Sequence, residues 1–159
     1  MTNVSFTNTD PPVAVDQGSM SEEILNAHNQ HRATVGVAPL TWSDTLSSHA
    51  QEWVDYLASL GNLQHSQNTG EGENLWMGSS SNYSYAQMVE SWGSEQQYFV
   101  GGVSPDFSST GQFQDVGHYT QIVWKDTVEV GCAVASANGN DFLVCRYSPP
   151  GNVPGQTAY

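Results

Sequence analysis

Asn138-Gly139 constrains the fold of this chain more than any other pair of residues. Asn-Gly between two apolar, alternating runs is the strongest short signal for a two-residue β-hairpin. Val128, Val130, Cys132 and Val134 lie before it, and Phe142, Leu143, Val144 and Cys145 after it. With residues 138 and 139 at the centre of the turn, paired positions sum to 277, which sets Cys132 opposite Cys145. The 137/140 pair is hydrogen-bonded and the pairs then alternate, so 132/145 is a non-hydrogen-bonded pair, the closer of the two kinds. Its spacing falls near the short end of what a disulfide spans. The register therefore predicts a Cys132–Cys145 disulfide and an oxidising compartment. Two buried apolar thiols are the alternative.

Upstream of the hairpin the periodicity is helical. Ser19 and Glu22 fit a capping box, and Ile24, Ala27 or His28, His31 and Val35 follow at helical spacing until Gly36. A second helix opens at Ser43-Asp44, carries a stripe of Leu46, Ala50, Trp53 and Leu57, and closes at Gly61. A third spans about Ser84 to Tyr98, with Ser84 and Gln87 as a capping box and Met88, Val89, Trp92 and Phe99 marking its apolar face. Residues 101–114 form the longest irregular stretch, and long ordered loops often carry function. Gly117 to Trp124 alternates like a strand, with Ile122 and Trp124 on one side and Tyr119, Gln121 and Val123 on the other. Helices first and strands later predict an α+β fold, with helices on both sides of a small, mostly antiparallel sheet.

The chain has 159 residues, enough for one domain with a real core. Residues 1–18 are polar, contain Asp10-Pro11-Pro12, and read as an extended arm or linker before a domain at 19–159. Only 12% of the residues are charged, and three Lys and Arg face sixteen Asp and Glu, for a net charge of −13. Such a surface repels nucleic acid and anionic membranes, which need clustered cations. No Cys-x-x-Cys occurs, which argues against a structural zinc site. No apolar run approaches a membrane span. Residues 1–20 lack the basic start and apolar stretch of a secretory signal. The expectation is a mature or trimmed form, or export by another route.

Five histidines carry the candidate chemistry. His49, beside Ala50 on the second helix, reads as a packed or surface residue. His28 and His31 share a helix face but have no carboxylate pattern beside them, so packing and hydrogen bonding suit them better than metal. His65 follows the second helix in a polar loop, and Glu73 opens a short apolar run eight residues later. Glu95 lies on the inward side of the third helix, where a lone carboxylate is costly unless paired. It either snorkels to solvent or meets His65 or His118.

These residues sit in a recognisable order. His28-Asn29-Gln30-His31-Arg32, Leu40 with Trp42, Gly72-Glu73-Asn74-Leu75, Trp92 with Glu95 and Tyr98, Gly117 to Trp124, and Cys145-Arg146-Tyr147-Ser148-Pro149-Pro150-Gly151-Asn152 follow one another. Together they resemble the CAP superfamily of cysteine-rich secretory, antigen 5 and pathogenesis-related 1 proteins, over residues 20–152. The resemblance implies a three-layer α-β-α sandwich with a shallow central cleft. It also implies that His65, Glu73, Glu95 and His118 converge there as a divalent-metal tetrad, in an extracellular protein. The chain departs from many members in having only one possible disulfide and no cysteine-rich C-terminal module. A minimal, microbial member is the natural reading.

Two imidazoles and two carboxylates suit Zn²⁺. Binding by all four closes the site. Binding by His65 and His118 alone leaves open positions, with Glu73 and Glu95 bonded to the water there, and the cleft and the family favour this arrangement. Three classes of function follow. The first is a secreted, monomeric binding module for a protein partner or for a sterol or fatty acid, with Tyr83, Tyr85, Phe99, Phe107 and Phe113 as candidate apolar lining. The second is a metal-assisted hydrolase, with Ser66 or Glu73 as candidate catalytic residues, although no Gly-x-Ser-x-Gly or His-Glu-x-x-His occurs. The third is a domain in which the tetrad only stiffens the cleft.

Overall fold

The computed structural model describes the backbone from residue 17 and the side chains from residue 19 to the C-terminal Tyr159. The expected arm at 1–18 lies outside the described residues, apart from residues 17 and 18, which open the first helix. In chain order the elements are α1 (Gln17–Thr34), β1 (Thr41–Trp42), α2 (Asp44–Leu60), β2 (Gly72–Ser79), α3 (Tyr85–Gly93), a 3-10 turn (Ser94–Tyr98), α4 (Gly117–Ile122), β3 (Glu129–Ala137) and β4 (Asn140–Ser148). Ser19 is therefore inside α1 and does not cap it.

The hairpin register is the one that Asn138-Gly139 dictates. Ala137 faces Asn140, Cys132 faces Cys145 and Glu129 faces Ser148. Asn138 and Gly139 both have positive φ, 51° and 81°, as a type I′ turn requires. The Cys132–Cys145 disulfide is formed across a Cα separation of 4.1 Å, the short spacing of a non-hydrogen-bonded pair.

The sheet runs β1-β3-β4-β2. The two-residue β1 is parallel to β3, and the other pairs are antiparallel. Strand alternation sorts the side chains into two cores. Ala133, Phe142 and Val144 face α2, where Ala50, Val54 and Leu57 cover them. Val130, Cys132, Leu143, Cys145 and Tyr147 face α1, α3 and α4, against Ile24, Met88, Trp92 and Ile122. This is the three-layer sandwich. On α2 the buried stripe takes Val54 rather than Trp53; Trp53 is only partly buried and donates from Nε1 to the Gln64 carbonyl at 2.9 Å. The caps at Ser43, Gly61 and the Ser84/Gln87 capping box form as read.

The strand expected at residues 117–124 is a helix, α4. Tyr119, Thr120, Gln121, Ile122, Val123 and Trp124 are all buried, so the segment has no polar face, and alternation alone cannot tell strand from helix in such a run. The ends decide. Arg32, 1% exposed, donates from Nη1 to the carbonyls of Ile122 (2.9 Å) and Trp124 (2.8 Å) and from Nη2 to that of Thr127 (3.0 Å). The Ile122 carbonyl is one that a helix leaves without an internal partner, and those of Trp124 and Thr127 lie in the turns that follow α4. Glu95 serves the other end, as described below. Of the expected apolar lining, Phe107 is buried and Phe99 and Phe113 are partly buried. They pack with Val116, Trp124 and Ala158 under the long loop.

Candidate functional site

Four expected site residues form two imidazole–carboxylate pairs. His118 Nδ1 lies 2.7 Å from Glu95 Oε2, and His65 Nδ1 lies 2.7 Å from Glu73 Oε1. His65, Glu73 and His118 line one cleft of about 310 Å³, together with Phe113, Gln114 and Asn152. Glu95 holds His118 but does not line it. Among the described residues no three His, Cys, Asp or Glu side chains gather closely enough to hold a metal ion as a single cluster.

Each side chain has a structural reason for its place. Glu95 sits in the 3-10 turn after α3. Its Oε1 accepts the backbone N–H groups of His118 (3.0 Å) and Tyr119 (3.1 Å). A carboxylate there satisfies two amides that a helix start leaves free, and it complements the helix dipole. The His118 ring also stacks on Trp92, with centroids 5.9 Å apart and planes 11° from parallel. Trp92 is itself anchored by Nε1 to the Leu75 carbonyl at 3.0 Å. Asn152 fastens the same turn, donating to the Gly117 carbonyl at 2.9 Å and accepting from Thr120 Oγ1 at 2.6 Å.

On the other side, β2 and β4 place Glu73 directly across from Arg146. Arg146 is 4% exposed. Its Nε is 2.8 Å from Glu73 Oε2, an ion-pair contact whose N–H direction misses hydrogen-bond alignment. Its Nη1 donates to Glu71 Oε1 at 2.9 Å and its Nη2 to Ser66 Oγ at 2.9 Å. Burial works against the charge of Glu73. Hydrogen bonds from His65 and from the Ser66 hydroxyl and amide, with the Arg146 charge, outweigh it and hold the carboxyl below its usual range.

Ser66 Oγ donates to Glu73 Oε2 at 2.5 Å and accepts from Arg146. Among the described residues it has no hydrogen bond to an imidazole, so the His65-Ser66 neighbours form no nucleophile–base contact. The remaining histidines have structural partners. His28 is buried, with Nδ1 donating to the Ile24 carbonyl (2.8 Å) and Nε2 accepting from Tyr147 (2.7 Å). His31 pairs with Glu90 and His49 with Glu71.

Sequence reasoning missed Arg146, Glu71 and Asn152. Glu71 and Arg146 become legible only once β2 is registered against β4. Nothing in the local sequence announces that pairing.

The comparisons with known proteins give the class to which this α-β-α sandwich belongs. The model of the cysteine-rich secretory protein family (CAP) matches residues 25–147. The chain belongs to this family. It is 45% identical to pathogenesis-related protein 1B of Nicotiana tabacum over 139 residues, 87% of this chain and 80% of that protein. It is 40% identical to protein PRY2 of Saccharomyces cerevisiae, covering 87% of this chain and 40% of that one. Among solved structures it resembles NaASP2 crystallised with Zn²⁺, at 26% identity and a TM-score of 0.71, covering 87% of this chain and 83% of that one.

Proposed function

We propose that the chain acts outside the cell as a CAP-domain binding module whose cleft takes Zn²⁺ through Nε2 of His65 and of His118. The carrying observation is the use of the two Nδ1 atoms. Each faces a carboxylate at 2.7 Å, which fixes the proton on Nδ1 and leaves Nε2 as a lone-pair donor. Neither Nε2 has a hydrogen bond among the described residues, and both rings line the same cleft. The solved relative bearing Zn²⁺ and relatives named as secreted, such as RBT4 of Candida albicans, support the same reading.

The donor set fits two protein ligands better than four. Every Glu73 oxygen already receives two polar partners, and Glu95 spends one oxygen on two backbone amides. Direct coordination by either glutamate would break those contacts. The carboxylates instead orient the imidazoles. A zinc ion held by two residues keeps positions open for a donor atom of a partner. Phe113, Gln114 and Asn152 would then bound what approaches.

Calorimetric titration with ZnCl₂ tests this. The chain should bind one ion, and the His65→Ala/His118→Ala variant should lose that binding while folding normally. Equal affinity in both would remove the cleft as the metal site.

A further inference from the structure

A second cavity of about 410 Å³ shares no lining residue with the His65/His118 cleft. Its walls include Trp53, His49, Glu52, Gln67, Glu71 and Arg146. The volume lies in the range of small-molecule sites.

Its chemistry is specific. Trp53 supplies a flat apolar wall, pinned by the Nε1 bond to Gln64 and by packing on Tyr56 with ring centroids 4.9 Å apart. Arg146 is the buried residue of the set, held by Glu71 and Ser66. Around them, the Glu52 carboxylate, the Gln67 amide and Nε2 of His49 make no hydrogen bond among the described residues. Planar polar groups with unused capacity therefore surround one fixed aromatic face.

Two ligand classes fit poorly. An anion meets Glu52, Glu71 and a net charge of −13, while the Arg146 guanidinium of the site is already neutralised by two carboxylates. A wholly apolar molecule would strip water from Glu52, Gln67 and His49 without replacing its hydrogen bonds. A neutral sugar ring satisfies the remaining demands. Its C–H face packs on an indole, and its hydroxyls donate to a carboxylate or to the His49 Nε2 while accepting from an amide or a guanidinium.

We propose that the Trp53 cavity is a binding site for a neutral saccharide, separate from the cleft and independent of metal. The test is ¹H–¹⁵N shift mapping of the full chain with cellotetraose, laminaritetraose, chitotetraose and mannotetraose at millimolar concentration. At least one should move the Trp53 indole N–H and the amides around Gln67. Glu52→Ala and Gln67→Ala change exposed side chains without hydrogen bonds. Each should weaken that binding about tenfold and leave the melting temperature unchanged. The proposal is overturned if none of the four sugars moves Trp53, if the shifts centre on Phe113 and Asn152 instead, or if both variants bind as tightly as the parent.

Discussion

Glu95 grips His118 through both its backbone and its ring: Oε1 accepts the main-chain N–H at 3.0 Å and Oε2 faces Nδ1 at 2.7 Å. One carboxylate thus starts a helix and aims an imidazole.

Those two roles separate by substitution. Glu95→Gln keeps an oxygen for the two amides but loses the charged acceptor at Nδ1. Its stability should stay within about 1 kcal/mol of the parent, while Zn²⁺ affinity falls about 10–100-fold. Glu95→Ala loses both and should cost about 2–3 kcal/mol. Urea denaturation and zinc titration read the two effects. Unchanged zinc affinity in Glu95→Gln would take Glu95 out of the site.

Acid should destabilise the fold in two windows. Burial pushes the His28 imidazole down from 6.5 to about 4, partly offset by its bond to the Ile24 carbonyl. Between those values the unfolded chain binds a proton that the folded chain refuses. Stability therefore falls as pH drops through this window and levels off near 4, by about 3 kcal/mol in total. Glu73, with its carboxyl held below 4.5, contributes stability present above that value and lost as pH falls beneath it. Urea midpoints across this range should slope downward, and His28→Gln should flatten the upper part. A parent profile that is flat between pH 6.5 and 4 would contradict the assignment.

Gly131 lets the start of α2 touch β3. A methyl group there would lie 2.3 Å from the Ser47 nitrogen and 2.4 Å from the Ser43 oxygen. Both are backbone atoms of a capped helix end, and Ser47 Oγ also bonds the Cys132 carbonyl at 2.8 Å. Neither can move aside alone. Gly131→Ala should cost about 2–3 kcal/mol, visible as a lower melting temperature in calorimetry. A neutral result would mean that the helix shifts freely over the sheet.

The disulfide closes a short loop, its cysteines 13 positions apart, and the turn already holds the strands together. The Cys132→Ala/Cys145→Ala pair should therefore lose only about 1–3 kcal/mol and keep the register. Cross-strand contacts between Ala133 and Val144 in NMR spectra check the second point.

Much of this fold is legible in the sequence where the governing rule is local. Asn138-Gly139 sets a register by counting, and Ser43, Gly61 and Ser84 mark helix ends through bonds to near neighbours. The pairing of Glu95 with His118 was within reach, because an inward carboxylate needs a partner. α4 was not. Its residues are buried on every side, and its ends are satisfied by Glu95 and Arg32, 23 and 90 positions away. Arg146 was hidden likewise, since its meaning comes from strand β2, which the turn rule does not reach.

α4 has six residues, too few to persist alone in water. It exists because groups from α1, from the turn after α3 and from the loop after β4 arrive at its two ends. A peptide copied from residues 117–124 would hold no helix and aim no imidazole. The ring of His118 thus reports on assembly: it points into the cleft only when segments from across the chain have already met, so any loss of closure elsewhere in the sandwich is felt first as a loss of aim.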